Sequence, residues 1–426
     1  MLRSIVQGGA TDCGHVTERA GQLESLQHLL KEITQGEPSF YRKRLAEAGL
    51  LEEVGGVAEF ITKLPFTTKE QLVADHAALP PYGTNHTYPL RDYSRFCQTS
   101  GTSGQPMAWL DTAQSWSSLL DSWETVFWKS DVRAGQDAVY FAFSFGPFLG
   151  FWTAFEAAAR AGLLCIPGGG LSSRARVAAI ESTAATVLCC TPTYAMRLGE
   201  VAAEIGVELR SVQKIIVAGE PGGSIRATRN RISQLWHGAQ VIDHHGMTEV
   251  GPVSYEHPQQ PGNLCVIGAA YLAEVIDPET GEDVADGETG ELVLTTLKRI
   301  ACPLLRYRTG DLVKKRESEG DLILEGGILG RIDDMVVVRG VNLYPAAIEQ
   351  VVRRFDEVVE YEVRQRTEKS MVEVSVAIEA SDDADGEILC GSVEAALGDA
   401  LSLRIPVVLE EELPRYEFKA KRWVTD

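Results

Sequence analysis

The chain has 426 residues, 44% of them hydrophobic and 23% charged, which is ordinary globular usage; at about 150 residues per domain this is two or three domains. Sixty Asp and Glu against forty Lys and Arg leave a formal net charge of −20. That excludes the basic footprint of non-specific nucleic-acid binding and a polybasic membrane anchor. No apolar run approaches the ~18 residues of a spanning helix, and Met1 to Asp12 lacks the apolar core of a signal peptide, so a cytoplasmic protein with no membrane contact is expected.

Before Ser100, Leu23, Leu26, Leu29, Leu30 and Ile33 recur at helical spacing. From about Ala138, short apolar runs alternate with amphipathic stretches. Strands are predicted at Val139–Phe143, Leu163–Ile166, Thr186–Cys190, Lys214–Ala218 and Gln240–His244, with helices at 151–161, 174–182, 192–205 and 224–236. Such alternation predicts a parallel sheet covered by helices, with ligands bound beyond the carboxyl ends of its strands. After Gly251 the chain becomes β-rich, with strands at Leu272–Ile276 and Gly290–Thr295. A third region starts near Arg331. It has a strand at Val336–Val338 and a helix from Pro345, then an alternating strand over Val372–Ile378, a helix at 388–401 and a strand at Val407–Leu409.

The expected fold is α/β. A large N-terminal domain (1–331) combines a parallel β/α sheet with a β-rich subdomain, and a small mobile α+β domain follows (332–426). The second domain holds 21 acidic and 11 basic residues, half the net charge, yet its last twelve residues include Arg415, Lys419, Lys421 and Arg422. The eight cysteines are scattered without a CxxC pair and read as small buried hydrophobes in a reducing compartment.

Four segments carry chemistry. Thr99-Ser100-Gly101-Thr102-Ser103-Gly104-Gln105 offers tight turns, exposed N–H groups and hydroxyls suited to phosphate oxygens, without the Gly-Lys-Ser/Thr of a Walker A loop. Asp243-His244-His245-Gly246-Met247-Thr248-Glu249 follows a strand, and its carboxylate beside a hydroxyl suits Mg²⁺ near phosphates. In Arg306-Tyr307-Arg308-Thr309-Gly310-Asp311, a turn aspartate can accept both hydroxyls of a ribose. The fourth runs from Gly330-Arg331-Ile332-Asp333-Asp334 to Arg339-Gly340-Val341-Asn342-Leu343-Tyr344-Pro345 and bridges the two domains. Each, taken alone, also reads as an ordinary turn.

In this order and spacing, the four segments resemble those of the adenylate-forming superfamily of acyl-CoA synthetases, adenylation domains and luciferases. Ala218-Gly219-Glu220-Pro221 and Arg339 to Pro345 are similar to the phenylacetate-CoA ligase branch. The resemblance runs from about Arg91 to the C-terminus. It implies ATP, Mg²⁺ and coenzyme A, an aromatic carboxylic acid substrate and an acyl-AMP intermediate. A carrier-protein pantetheine in place of free CoA is the alternative acceptor; a silent nucleotide-binding protein is the reading from another class. Homodimers are common in the branch.

The resemblance assigns Thr99, Ser100, Gly101, Thr102, Ser103 and Gly104 to the β- and γ-phosphates, with Gln105 where a Lys is frequent. It places adenine at Gly219, Glu220, Pro221 and Asp243, with His244 in the nucleotide site and His245 where family members carry a stacking Tyr. Thr248 would touch the α-phosphate, Glu249 would hold Mg²⁺, Asp311 would take the ribose and Arg331 would lie near ribose and phosphate. Lys419 is implied as the catalytic cation, with Lys421 as runner-up because Phe418 replaces a frequent Gly. Asp333 is the implied hinge of a rotating C-terminal domain, and Gly340 the implied lining of the CoA tunnel. The acyl pocket is implied at Phe141, Phe145, Gly146, Ala218, Gly246, Met247 and Pro252, with Ser144 or His244 as a partner for a ring hydroxyl or amine. A zinc site found in some members would begin at His257 and Cys265, but its later Cys pair is absent.

Overall fold

The computed structural model describes residues 21–37, 39–52, 54–99, 106–318, 320–338, 341–368, 371–416 and 421–425. Four short helices open it, Gln22–Gln35, Phe40–Glu47, Val57–Lys63 and Lys69–Ala78. Leu26, Leu29, Leu30 and Ile33, at the predicted spacing, are the buried stripe of the first.

A five-stranded sheet is the centre of the large domain. In spatial order its strands are Leu164–Pro167, Ala138–Phe141, Val187–Cys190, Lys214–Val217 and Gln240–Asp243, every neighbouring pair parallel. The intervening helices Leu149–Arg160, Ser173–Thr183, Pro192–Glu204 and Arg226–Leu235 are where alternation places them. Ser172 and Thr191 cap two of them with their side-chain oxygens, and Pro192 sits in the first turn, where a missing N–H has no consequence. The first strand ends at Phe141 rather than at the predicted Phe143. Phe143 and Phe145 instead belong to the turn beyond the sheet, on the side where ligands bind.

The β-rich region is a six-stranded antiparallel sheet in the order Ser254–Glu256, Leu264–Val266, Asp321–Arg331, Tyr307–Ser318, Thr289–Thr296 and Tyr271–Ile276. The two longest strands, Tyr307–Ser318 and Asp321–Arg331, do not announce themselves in the sequence. They are charged and glycine-interrupted, and their pairing supplies the order that their composition lacks. Gly326 and Gly327, both at positive φ, bulge from the second strand, because pairing passes from Lys314–Glu325 directly to Val313–Ile328.

The C-terminal region has a two-stranded ribbon (Val336–Val338 with Val341–Leu343) and a four-stranded sheet ordered Val407–Glu410, Met371–Ala380, Val358–Glu368, Trp423–Thr425. Helices Pro345–Val352 and Gly386–Leu401 cover it. It encloses a core of its own around Ile348, Val352, Val363, Val376, Ile378 and Val393. Among the described residues, no helix is long and apolar enough to cross a membrane.

Candidate active site

The phosphate-loop segment joins the two strands of a small ribbon, Arg95–Gln98 and Ala108–Asp111. Thr99 closes its base: its N–H donates to Met107 O at 3.0 Å, and its Oγ1 accepts from Met107 N at 2.9 Å. Ser100, Gly101, Thr102, Ser103, Gly104 and Gln105 lie outside the described residues.

Thr248 and Glu249 occupy a tight turn between two short strands, Gly246–Met247 and Gly251–Pro252, which pair antiparallel. Gly246 must be small, because a Cβ there would lie 2.8 Å from Gly251 O. Beneath the turn, Arg299 Nη1 donates to Thr248 O (2.9 Å) and Glu249 O (2.8 Å), while its other nitrogens pair with Asp111. Both side chains of that pair are 1% exposed. Glu249 is half-buried, with Lys69 Nζ at 4.0 Å from one carboxylate oxygen. Lys69 stands at the start of its helix, next to Thr68, whose capping box with Gln71 orders that turn.

Asp311 and Arg331 face each other as direct partners across the antiparallel ladder. Arg331 Nη1 donates to Asp311 Oδ1 at 2.8 Å, and His245 Nε2 meets Asp311 Oδ2 at 3.1 Å. Three separate sequence segments thus converge on one carboxylate that is 4% exposed. Burial works to lower the pKa of the Arg331 guanidinium, and Asp311 with its acidic neighbours raises it on balance. Gly310, at φ 76°, gives the guanidinium room, since a Cβ there would stand 3.0 Å from Arg331 Nη2. His245 Nδ1 is buried without a hydrogen-bond partner.

Asp243 ends the last strand of the central sheet. It accepts from Ser224 Oγ at 2.5 Å and from the His244 N–H at 3.0 Å, and its burial raises the carboxyl pKa. The Gly326–Gly327 bulge closes over this pair; a Cβ on Gly327 would lie 2.2 Å from Ser224 Oγ. Gly219 and Pro221 are exposed beyond the neighbouring strand, and Glu220 Oε1 accepts from Thr193 N at 2.8 Å. Asp333 is exposed in the 3₁₀ turn Ile332–Asp334 that leads into the small domain. Gly340 and Lys419 lie outside the described residues. Lys421 is exposed, and its carbonyl accepts from Tyr416 Oη at 2.9 Å.

An aromatic wall stands beside the Thr248–Glu249 turn. Phe143 stacks on Phe151 at 4.4 Å, and Phe145 packs edge-on against Phe143, Trp152 and Phe155. Phe141 is fully buried behind them. Phe145, Gly146, Ala218, Gly246 and Met247 are half-buried and Pro252 is buried. His257 Nδ1 accepts from Gln259 N, Cys265 is buried, and among the described residues no three His, Cys, Asp or Glu are placed to hold a metal ion. Sequence reasoning missed Lys69, Asp111, Ser224 and Arg299.

Residues 42–297 match the AMP-binding enzyme family, and residues 340–426 match the AMP-binding enzyme C-terminal domain. A phenylacetate-coenzyme A ligase of Thermus thermophilus is 32% identical over 85% of this chain and 82% of its own length. One from Pseudomonas putida is 29% identical over 94% of this chain and 92% of its own. A crystal structure of 2-hydroxyisobutyryl-CoA ligase in the postadenylation state, in complex with 2-HIB-AMP, superimposes with a TM-score of 0.88 at 27% identity, over 95% of this chain and 89% of that one. The same enzyme in the thioesterification state gives a TM-score of 0.70 at 28% identity and the same coverage. The two domains of this chain are therefore arranged more like the former. The chain belongs to the AMP-binding enzyme family and, within it, to the phenylacetate-CoA ligase-like branch of AMP-forming acid–CoA ligases.

Proposed function

We propose that the protein is an ATP-dependent aryl-acid:CoA ligase. In the first half-reaction an acid carboxylate oxygen attacks the α-phosphorus of ATP and the bond to the bridging oxygen breaks. The products are acyl-AMP and pyrophosphate. In the second, the CoA sulfur attacks the acyl carbon, the carbon–oxygen bond to AMP breaks, and the thiol gives up its proton. The observation that supports an aromatic acid is the wall of Phe143, Phe145 and Phe151 beside the Thr248–Glu249 turn, together with the phenylacetate ligases among the relatives.

Each residue takes the role that the family resemblance implies. Thr99 to Gly104 embrace the β- and γ-phosphates and Thr248 the α-phosphate. Asp311, already oriented by Arg331 and His245, receives the ribose hydroxyls. Gly219, Glu220, Pro221, Asp243 and His245 border the nucleotide, while the His244 ring turns away from it onto Trp123. Phe145, Gly146, Ala218, Gly246, Met247 and Pro252 border the acid, with Phe141 packed behind the aromatic wall. Glu249 fits Mg²⁺, which commonly takes one or two carboxylates alongside substrate phosphates. The ion would supply charge neutralisation there. Lys419 supplies a cation to the bridging oxygen, where charge develops in the transition state. Asp333 serves as the hinge and Gly340 lets the pantetheine arm pass.

The test is carboxylate-dependent ATP–pyrophosphate exchange over a panel of aryl acids, with and without CoA, on wild type and Lys419→Ala. Exchange with a few aryl acids, reduced by orders of magnitude in the variant, is expected, with a thioester when CoA is added. Absence of exchange with every acid would overturn the reading.

A further inference from the structure

His244 is 4% exposed and directly follows the strand that ends at Asp243. Its backbone N–H donates to Val217 O and Asp243 Oδ1. Its ring turns away from Asp243, onto Trp123 of helix Ala113–Lys129, with ring centroids 4.3 Å apart. That helix packs against Leu149–Arg160, which bears Phe151 and Phe155 of the aromatic wall.

The hydrogen bonding of the ring defines its tautomer. Nδ1 lies 2.6 Å from Ser254 O. A carbonyl can only accept, so Nδ1 carries the proton. Burial pushes the imidazole pKa down to about 4, so the ring is neutral near neutral pH. Nε2 is then a bare lone pair, and among the described residues nothing donates to it. It faces the backbone of Gly246, since a Cβ built on that glycine would stand 3.4 Å from Nε2. On the adjoining ring, Trp123 Nε1–H is buried and also has no partner. The site thus holds an acceptor to which nothing described donates, on a ring packed against Trp123, whose helix packs against the one that bears Phe151 and Phe155.

We infer that His244 is a specificity-determining residue that accepts a hydrogen bond from a donor on the acid substrate, a hydroxyl or an amine. The inference rests on the proposed ligase function. A hydroxyl or an amine can donate to the Nε2 lone pair. A methyl group of the same size leaves it unmet. A site built to bond such a group discriminates strongly against the analogue lacking it.

The experiment compares kcat/KM for pyrophosphate exchange on phenylacetates and benzoates bearing hydroxyl, amino or methyl at each ring position, with 2-hydroxyisobutyrate as an aliphatic hydroxy acid. In wild type, one donor-bearing acid is expected to exceed its methyl counterpart by about ten- to a hundredfold. His244→Asn keeps an N–H for Ser254 O and withdraws the acceptor from the Nε2 position, because the shorter amide holds its own oxygen nearer the backbone. It should bring that ratio close to one while the methyl acid is turned over within about threefold of wild type. If His244→Asn does not fold, His244→Met fills the space without an acceptor and is read in the same way. No donor preference at any position in wild type, or an equal loss for donor and methyl acids in the variant, would overturn the inference, even with exchange on unsubstituted acids intact. No exchange on any acid would instead mark failure of the ligase reading.

Discussion

Asp111 receives two hydrogen bonds from the guanidinium of Arg299, at 2.9 and 2.6 Å, and the third nitrogen of the same group holds the carbonyls of Thr248 and Glu249. A buried pair on the ribbon behind the phosphate loop therefore fixes the turn on which Thr248 and Glu249 are displayed. One arginine thus ties the ribbon strand Ala108–Asp111 to that turn.

The Arg299–Asp111 pair separates stability from activity. Arg299→Met leaves a buried carboxylate alone and should destabilise the large domain by about 3–5 kcal/mol in equilibrium unfolding. Adding Asp111→Leu removes the orphaned charge and should recover much of that loss. Pyrophosphate exchange should stay low in the double variant, because nothing restores the two bonds to Thr248 and Glu249. Recovery of exchange along with stability would show that the pair does not position the turn.

In the proposed function the Asp311–Arg331 pairing orients the ribose acceptor. Arg331→Gln leaves Asp311 held through His245 and deletes a charge-assisted hydrogen bond worth about 1.5–3 kcal/mol. The KM for ATP should rise about tenfold or more, with the KM for the acid little changed. Steady-state kinetics with each substrate varied in turn checks this split.

His244 gives the fold a defined acid sensitivity. Its imidazole titrates near 6.5 in the unfolded chain and, through burial, at about 4 in the folded one. Between those values the unfolded chain binds a proton that the folded chain does not. Stability is therefore full above about pH 6.5 and falls as pH drops toward 4, by at most about 3 kcal/mol from this group. His244→Asn should flatten that part of the stability–pH curve, measured by urea unfolding at closely spaced pH values.

At the boundary between the domains, Arg422 Nη1 donates to Thr193 Oγ1 at 3.3 Å and Thr228 Oγ1 donates to Glu349 at 3.5 Å. Arg422 also pairs with Glu360 inside the small domain, so it is held from both sides. Thr193→Val removes one cross-domain bond, an effect of about 1 kcal/mol. Adenylation should slow several-fold, while thioester formation from supplied acyl-AMP should be unchanged or faster. Equal slowing of both half-reactions would show that the contact does not favour one arrangement.

The parallel sheet and its helices are legible in the sequence because each carries its own period and caps. Pro192, Thr191 and the stripe from Leu26 to Ile33 are examples. The Thr248–Glu249 and Gly310–Asp311 turns are legible as spacing. The convergence of His245, Arg331 and Asp311 on one carboxylate is not. It depends on the register of two strands whose residues show no alternation, and on a bulge at Gly326–Gly327 that reads locally as a plain turn. Arg299 is invisible for a related reason: its partner Asp111 is 188 residues distant, and nothing near either residue announces the other. Lys69 is overlooked because its helix precedes every recognisable segment.

The bulge has one more implication, for what the gene encoding this chain can tolerate. Asp311 meets Arg331 because Gly326 and Gly327 drop out of the ladder between Glu325 and Ile328, and Leu329 drops out between Ile328 and Gly330. Side chains alternate along a strand, so deleting a single residue there would turn Arg331 to the opposite side of the sheet. The loss would resemble a missing arginine although the arginine remained. Segment length between the Ser318–Asp321 turn and Arg331 is thus a functional quantity in its own right, and an in-frame deletion of one codon would be as damaging to nucleotide binding as a missense change at the site.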